Sequence, residues 1–295
     1  MPFRSFLSPR PGKRAAACGA LTVAAATLLA SGALAPASAA AATTSATAAG
    51  PADFPASVGA HGEARVTAAV LDLDLPGRTP TVFGEETPYD TASIIKVDIL
   101  AALLLKAQDS GRALTDGERA QTKAMIEHSD NAAANALWRS IGLAPGLKAA
   151  NKRLGLTETV GGPGGKWGLT RTTSADQIRL LRAVFDTGQT TKPGSAPALD
   201  AASRAYIRSL MSNVADDQSW GVSAAGGAGT ALKNGWLQRD TTDLWDVNSV
   251  GRITAGGHHY LVAVLSDGNK TMKDGVSLVE RAARTAVSTA AAGGS

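Results

Sequence analysis

The chain has 295 residues, with 29 Lys+Arg against 25 Asp+Glu, 44% apolar and 18% charged side chains, and a single cysteine. This is globular composition, which excludes wholesale disorder, and a lone cysteine excludes a disulfide framework or a cysteine metal cluster. The net charge of +4 resides in residues 1–39, which hold Arg4, Arg10, Lys13 and Arg14 and no acid; the other 256 residues balance 25 basic against 25 acidic groups, so a nucleic-acid footprint is excluded.

Residues 1–39 join those four basic groups to a long Ala/Leu/Val run and end in Ala37-Ser38-Ala39, the small-x-small pattern of a secretory cleavage site. The segment reads as a removable signal peptide. Cys18 opens the apolar run instead of following it, which argues against lipid attachment and leaves the mature chain without a thiol. No other stretch approaches the roughly 18 apolar residues that span a bilayer. A secreted protein is expected, without a stable membrane anchor and monomeric. Residues 40–57 read as a flexible leader, being mostly Ala, Thr, Ser and Gly up to Ala52. The folded domain is expected over 58–290, with a tail at 291–295.

Val66 to Leu75 (VTAAVLDLDL) and Thr81 to Gly84 read as two strands joined by a turn at Pro76-Gly77. From about Ser93 to Asn213 the period becomes helical. Thr115 with Glu118 and Ser174 with Gln177 have capping-box spacing; Pro145 suits a first helical position, and Gly142, Gly155 and Gly188 suit helix ends. Residues 189–198 form a polar loop. Thr230 to Leu237, Leu244 to Thr254 and Tyr260 to Ser266 read as antiparallel strands, and Asp274 to Val287 as a closing amphipathic helix. The order of elements predicts an α+β chain (an α/β sandwich): a five-stranded antiparallel sheet from both chain ends, interrupted by an all-helical lobe.

Three short motifs can carry chemistry. Ser93-Ile94-Ile95-Lys96 opens the first apolar helix and puts a hydroxyl and an amine on one face, where a desolvated lysine can take the serine's proton. The plain alternative is a helix-start serine beside a surface lysine. Ser129-Asp130-Asn131 follows 36 residues after Ser93 and offers a second hydroxyl for proton relay and an amide for a substrate carbonyl; its alternative is a helix N-cap. Lys233-Asn234-Gly235 lies 104 residues further on, in the first C-terminal strand. There a glycine marks a close approach to the backbone and a lysine can attract a carboxylate; the alternative is a lysine guarding a sheet edge.

In order and spacing the three motifs resemble the active-site serine penicillin-recognising enzymes, nearest to class A β-lactamases and their relatives. The resemblance spans roughly residues 60 to 290. It implies a β-lactamase/transpeptidase-like fold with Ser93 as acylated nucleophile, Lys96 as its activator and Ser129 as relay to the leaving nitrogen. It further implies that Asn131 holds a substrate amide, that Lys233 attracts a substrate carboxylate, and that the amides of Ser93 and Trp236 form the oxyanion hole. Asn234 stands where the family has Thr or Ser, so a hydroxyl that binds the carboxylate is replaced by an amide.

Glu158, 14 residues before Thr172-Thr173, is the candidate for the glutamate that clears the acyl-enzyme in class A enzymes. The Asn expected four residues after it is Gly162, and Leu156 and Arg171 occupy the positions of the usual ion pair. Without that base the chain would resemble a penicillin-binding peptidase or an esterase, acting on a β-lactam, a D-amino-acid amide or an ester. The other readings are a true β-lactamase that uses Glu158 (β-lactam catabolism, antibiotic resistance) and a cell-wall-peptide or β-lactam binding protein without turnover.

No metal or organic cofactor is implied. His128 adjoins Ser129, but no G-x-S-x-G elbow supports a Ser-His-Asp triad, and a hydrogen-bonded helix-end histidine is expected. His258 and His259 are neighbours in a strand, hence on opposite faces and poorly placed to share one ion. Gly161 to Lys166 (GGPGGK) lacks the spacing of a phosphate loop, and reads as a mobile loop near the site. Trp167, Trp220 and Trp236 are candidates for lining a pocket or for packing.

Overall fold

Strand β1 (Arg65–Asp72) sends Val66, Ala68 and Val70 into one buried cluster and Ala69 and Leu71 into another, as period-two alternation requires of a strand covered on both faces. The structure, a computed structural model, describes residues 53–75, 79–186 and 197–293. β1 pairs with β2 (Thr81–Phe83) and with β7 (His258–Asn269), and the sheet continues through β6 (Trp245–Ala255) to β5 (Ala231–Gln238). All pairings are antiparallel, in the order β2-β1-β7-β6-β5. The expected five-stranded sheet from both chain ends is therefore present. A second, two-stranded sheet was not foreseen: β3 (Tyr89–Asp90) pairs with β4 (Arg171–Thr172). Two residues per strand are too few to show a period.

One face of the sheet is covered by α1 (Phe54–Ser57) and by the closing helix, α8 in chain order (Met272–Gly293). In α8 the buried residues Leu278, Val279, Ala282, Ala283, Ala286 and Val287 form the stripe of an amphipathic helix. Phe54 is buried against Phe83, so the stretch read as leader ends in packed structure. The helix also runs on to Gly293, past the domain end expected at 290.

The other face carries the helical lobe: α2 (Ile95–Asp109), α3 (Asp116–Glu127), α4 (Asn131–Ser140), α5 (Leu143–Leu154), α6 (Ser174–Phe185) and α7 (Ala201–Ser212). Every residue of α2 from Ile95 to Leu105 is buried, Lys96 and Asp98 included, which makes it the lobe's central helix. Truncating one of its leucines to alanine costs about 2–5 kcal/mol.

The helix starts show which local signals dominate. Thr115 and Glu118 form the expected reciprocal capping box on α3. The box expected at Ser174 and Gln177 is displaced by one residue: Thr173 caps α6 through the Asp176 amide, while the Ser174 hydroxyl donates to Glu86. Either hydroxyl fits a cap, and the tertiary bond to Glu86 selects between them. Pro145 is the third residue of α5, not the first, in the turn where backbone N–H groups lack helical acceptors. Gly142 and Gly155 adopt positive φ, as helix-boundary glycines do.

No helix among the described residues is long and apolar enough to cross a membrane. The signal segment, residues 40–52, the Pro76-Gly77 turn, Gly188 and most of the 189–198 loop lie outside the described residues.

Candidate active site

Ser93 sits in a 3-10 turn (Ala92–Ile94) that feeds α2, with Ala92 before it at φ 46°. A non-glycine residue there is strained by about 1–3 kcal/mol, and such strain persists only where surroundings enforce it. Here they do. Asn248 of β6 donates to the carbonyls of Asp90 (2.9 Å) and Thr91 (3.1 Å), and the Thr91 amide donates to Thr170 O (2.8 Å). Asp90 in turn accepts from Arg171 (3.3 Å) and from Arg239.

The close approach marked by Gly235 is to this same turn. A Cβ added to Gly235 would meet Ser93 N at 2.6 Å, Ile94 N at 2.8 Å and Thr91 O at 2.8 Å. The partner is the chain's own backbone, which any side chain on β5 at that position would displace.

Lys96 is the second residue of α2 and is wholly buried. Its Nζ donates to Ser129 O (2.6 Å), Ser129 Oγ (3.0 Å) and Asn131 Oδ1 (2.9 Å). Lys233 Nζ donates to the same Ser129 hydroxyl (3.0 Å) and to Asn234 O (2.9 Å). Burial, aided by the second ammonium, lowers Lys96 to about 6; burial lowers Lys233 to about 7. Two of the Lys96 contacts require N–H donors, while the hydroxyl can accept or donate, so the amine is satisfied charged or neutral.

Ser129 follows α3 with φ 55°, a left-handed residue that turns both its carbonyl and its hydroxyl to Lys96. In the same motif Asp130 caps α4 through the Ala133 amide (2.6 Å). Capping and site geometry are thus divided between adjacent residues. The structure brings Ser129, Asn131 and Lys233 together around Lys96, with Ser93 and Gly235 in backbone contact beside them.

Asn234 behaves differently from its expected role. It is buried, and its Nδ2 donates to Gln218 O (2.8 Å) and Trp220 O (2.9 Å), so its N–H groups tie β5 to the 216–225 segment. Trp236 shares its strand parity, and its ring packs on Trp220 at 5.9 Å, tilted by 58°. The pair joins the cluster between sheet and α8 and is not on the Lys96 side of β5, which leaves Trp236 only its backbone amide to offer there.

Glu158 is exposed, and its amide is bound to Asp176 Oδ2 (2.8 Å). Asp176 also takes the Thr159 hydroxyl (2.7 Å), closing the loop base where an ion pair was absent from the sequence. Arg171 is engaged with Asp90 and Leu156 is core. The group that reaches Lys96 from this loop is Trp167, whose ring centre lies 4.9 Å from Nζ. Its Nε1 donates to Asn135 (2.7 Å), Trp138 Nε1 donates to Gly164 O (2.8 Å), and the turn Trp167–Leu169 packs on the Ser93 turn. The glycine-rich loop was expected near the site, and Trp167, one of the three tryptophans offered for lining a pocket or for packing, is its contact residue there.

His128 follows α3 as its C-cap, the helix-end position expected, and is exposed.

The family model described as the beta-lactamase enzyme family matches residues 119–290. The solved structure of PBP-A is 18% identical with a TM-score of 0.64, over 81% of this chain and 95% of that one. A single-substitution variant of PBP-A, described as an acyl-enzyme complex with penicillin G, is 20% identical with a TM-score of 0.62 over the same shares. A class A beta-lactamase from Bacteroides cellulosilyticus is 15% identical with a TM-score of 0.64, over 81% of this chain and 96% of that one. No curated protein sequence matches the chain.

Proposed function

The chain belongs to the beta-lactamase enzyme family and is by that membership a serine hydrolase, and on that premise we propose that it is an exported enzyme that forms an acyl-enzyme on Ser93 with a β-lactam, a D-amino-acid amide or an ester, and releases it slowly. The reading of residues 1–39 as a secretory signal supports export. The acyl-enzyme described for the PBP-A variant with penicillin G supports a β-lactam as one acyl donor.

In the proposed reaction Ser93 Oγ adds to the carbonyl carbon as its proton passes to neutral Lys96. The developing oxyanion lies between the amides of Ser93 and Trp236. Collapse breaks the bond to the leaving nitrogen or oxygen, which takes the proton of Ser129 Oγ. Ser129 regains one from Lys96 across their 3.0 Å contact, and the amine ends neutral as it began. Lys233 attracts a substrate carboxylate, and Asn131, whose Oδ1 is held by Lys96, has its amide N–H for a substrate carbonyl.

The observation that carries slow release is the identity of the loop residue at Lys96: an indole, with Glu158 exposed and fixed to Asp176 by its amide. A water attacking the acyl group then lacks a positioned carboxylate, worth about 100- to 10,000-fold. Replacing Glu158 with glutamine is expected to leave the deacylation rate unchanged. A fall of about 100-fold or more would overturn slow release and support a β-lactamase proper.

A further inference from the structure

On the edge of the molecule formed by the end of β1 and the β6–β7 hairpin, three potential ligand atoms, one each from Asp72, Asp74 and His258, lie within 4.8 Å of one another. We propose that Asp72, Asp74 and His258 form a site for a divalent first-row transition ion, separate from the serine centre.

The donors are already oriented. His258 Nδ1 lies 2.8 Å from Asp72 Oδ2, and its ring stacks on Tyr260 with centres 6.0 Å apart and planes 22° apart. Asp72 Oδ1 accepts the Asp74 amide (2.8 Å), and Asp74 Oδ2 accepts the His259 amide (2.7 Å) and faces the His259 ring nitrogen (3.1 Å). The two histidines do not share an ion. His258 supplies a ligand, while His259 holds a ligating carboxylate from behind, the arrangement by which outer groups orient metal ligands.

Two carboxylates neutralise a divalent charge, and one imidazole favours zinc, nickel or copper over calcium or magnesium. Donors about 2.1 Å from an ion stand about 3.4 Å apart, so the His258–Asp72 contact of 2.8 Å must open by about half an ångström and give up its shared proton while the wider separations close. His258 and Asp74 are part-exposed and free to do so. Asp72 and His258 also line a cavity of about 590 Å³, which leaves room for water on the ion's open positions. Among the described residues that line the cavity, the one arginine or lysine is Arg284, which is turned to Ala224 O and Glu280. A bound ion would tie the end of β1 to the hairpin and stabilise the native state by mass action.

The test is calorimetric titration of zinc chloride into the untagged protein and into variants checked for folding by circular dichroism. One zinc per chain is expected in the wild type. His258→Ala is expected to lose binding by about 100-fold or more, and His259→Ala to weaken it by about 10- to 100-fold. His61→Ala, an exposed histidine elsewhere, is expected to bind as wild type. Asp74→Asn, nearly isosteric, repeats the loss should His258→Ala fail to fold. No zinc binding by the wild type below millimolar concentration, or wild-type affinity in both His258→Ala and Asp74→Asn, would overturn the proposal.

Discussion

Gly235 stands against Ser93 so closely that a Cβ on the glycine would lie 2.6 Å from the serine's backbone nitrogen. The strand that carries Lys233 therefore also sets the position of the nucleophile's turn. Gly235→Ala forces that backbone to move, and a misplacement of about 1 Å costs about 100-fold in rate. A loss of that order in acylation is expected, with overpacking costing about 1–3 kcal/mol in a urea melt. An acylation rate equal to wild type would show that the turn yields harmlessly.

The two lysines predict the pH dependence of acylation. Lys96, lowered to about 6 chiefly by burial, is a free base above that pH, so kcat/KM rises through about 6. Lys233, lowered to about 7 by burial, loses its charge above that value and with it the attraction for a substrate carboxylate. A penicillin should give a bell with limbs near 6 and 7; an ester without a carboxylate should keep the acid limb and lose the alkaline one. Identical profiles for both substrates would contradict the role given to Lys233.

Trp167 covers Lys96, and opening that face to water removes part of the desolvation that lowers the amine. In Trp167→Ala the acid limb should move to higher pH, measured on the same ester. A limb that stays or moves to lower pH would contradict a net desolvating role, because the ring face also attracts the charged amine.

Asp98 is wholly buried in α2, where Gln177 faces it, and burial raises it to about 8. In the unfolded chain it ionises near the ordinary value of 3.8. Between these values the native state binds the extra proton, so this group's contribution to stability falls as pH rises from about 4 to about 8. The lowered lysines have the opposite slope over their own range, so the informative quantity is the stability of Asp98→Asn minus that of wild type. That difference should grow from pH 4 to 8 in chemical melts; a flat difference would remove Asp98 from the account.

The sheet and helical lobe were legible because both rest on period: alternation in β1 and β7, and a continuous apolar run in α2. That Lys96, Ser129 and Lys233 would lie together was legible from the order and separation of three motifs and the family resemblance they carry. What escaped depends on contacts between elements distant in sequence. Asn248 holds the Ser93 turn from 157 residues away, and Arg239 reaches Asp90 across 149. Neither has a local signature. A strand position does not reveal that a neighbouring segment takes up the Asn234 amide, and counting residues along a loop does not locate the Glu158 side chain in space.

The central claim is an acyl-enzyme on Ser93 that outlasts its formation. Intact-mass spectrometry of the protein over time with a penicillin, beside an assay of the drug's hydrolysis and a Ser93→Ala control, tests it most directly. The account predicts an adduct of the drug's mass that persists in the wild type, is absent from Ser93→Ala, and is accompanied by little hydrolysis. Rapid hydrolysis without a lingering adduct, or an adduct formed equally by Ser93→Ala, would contradict it.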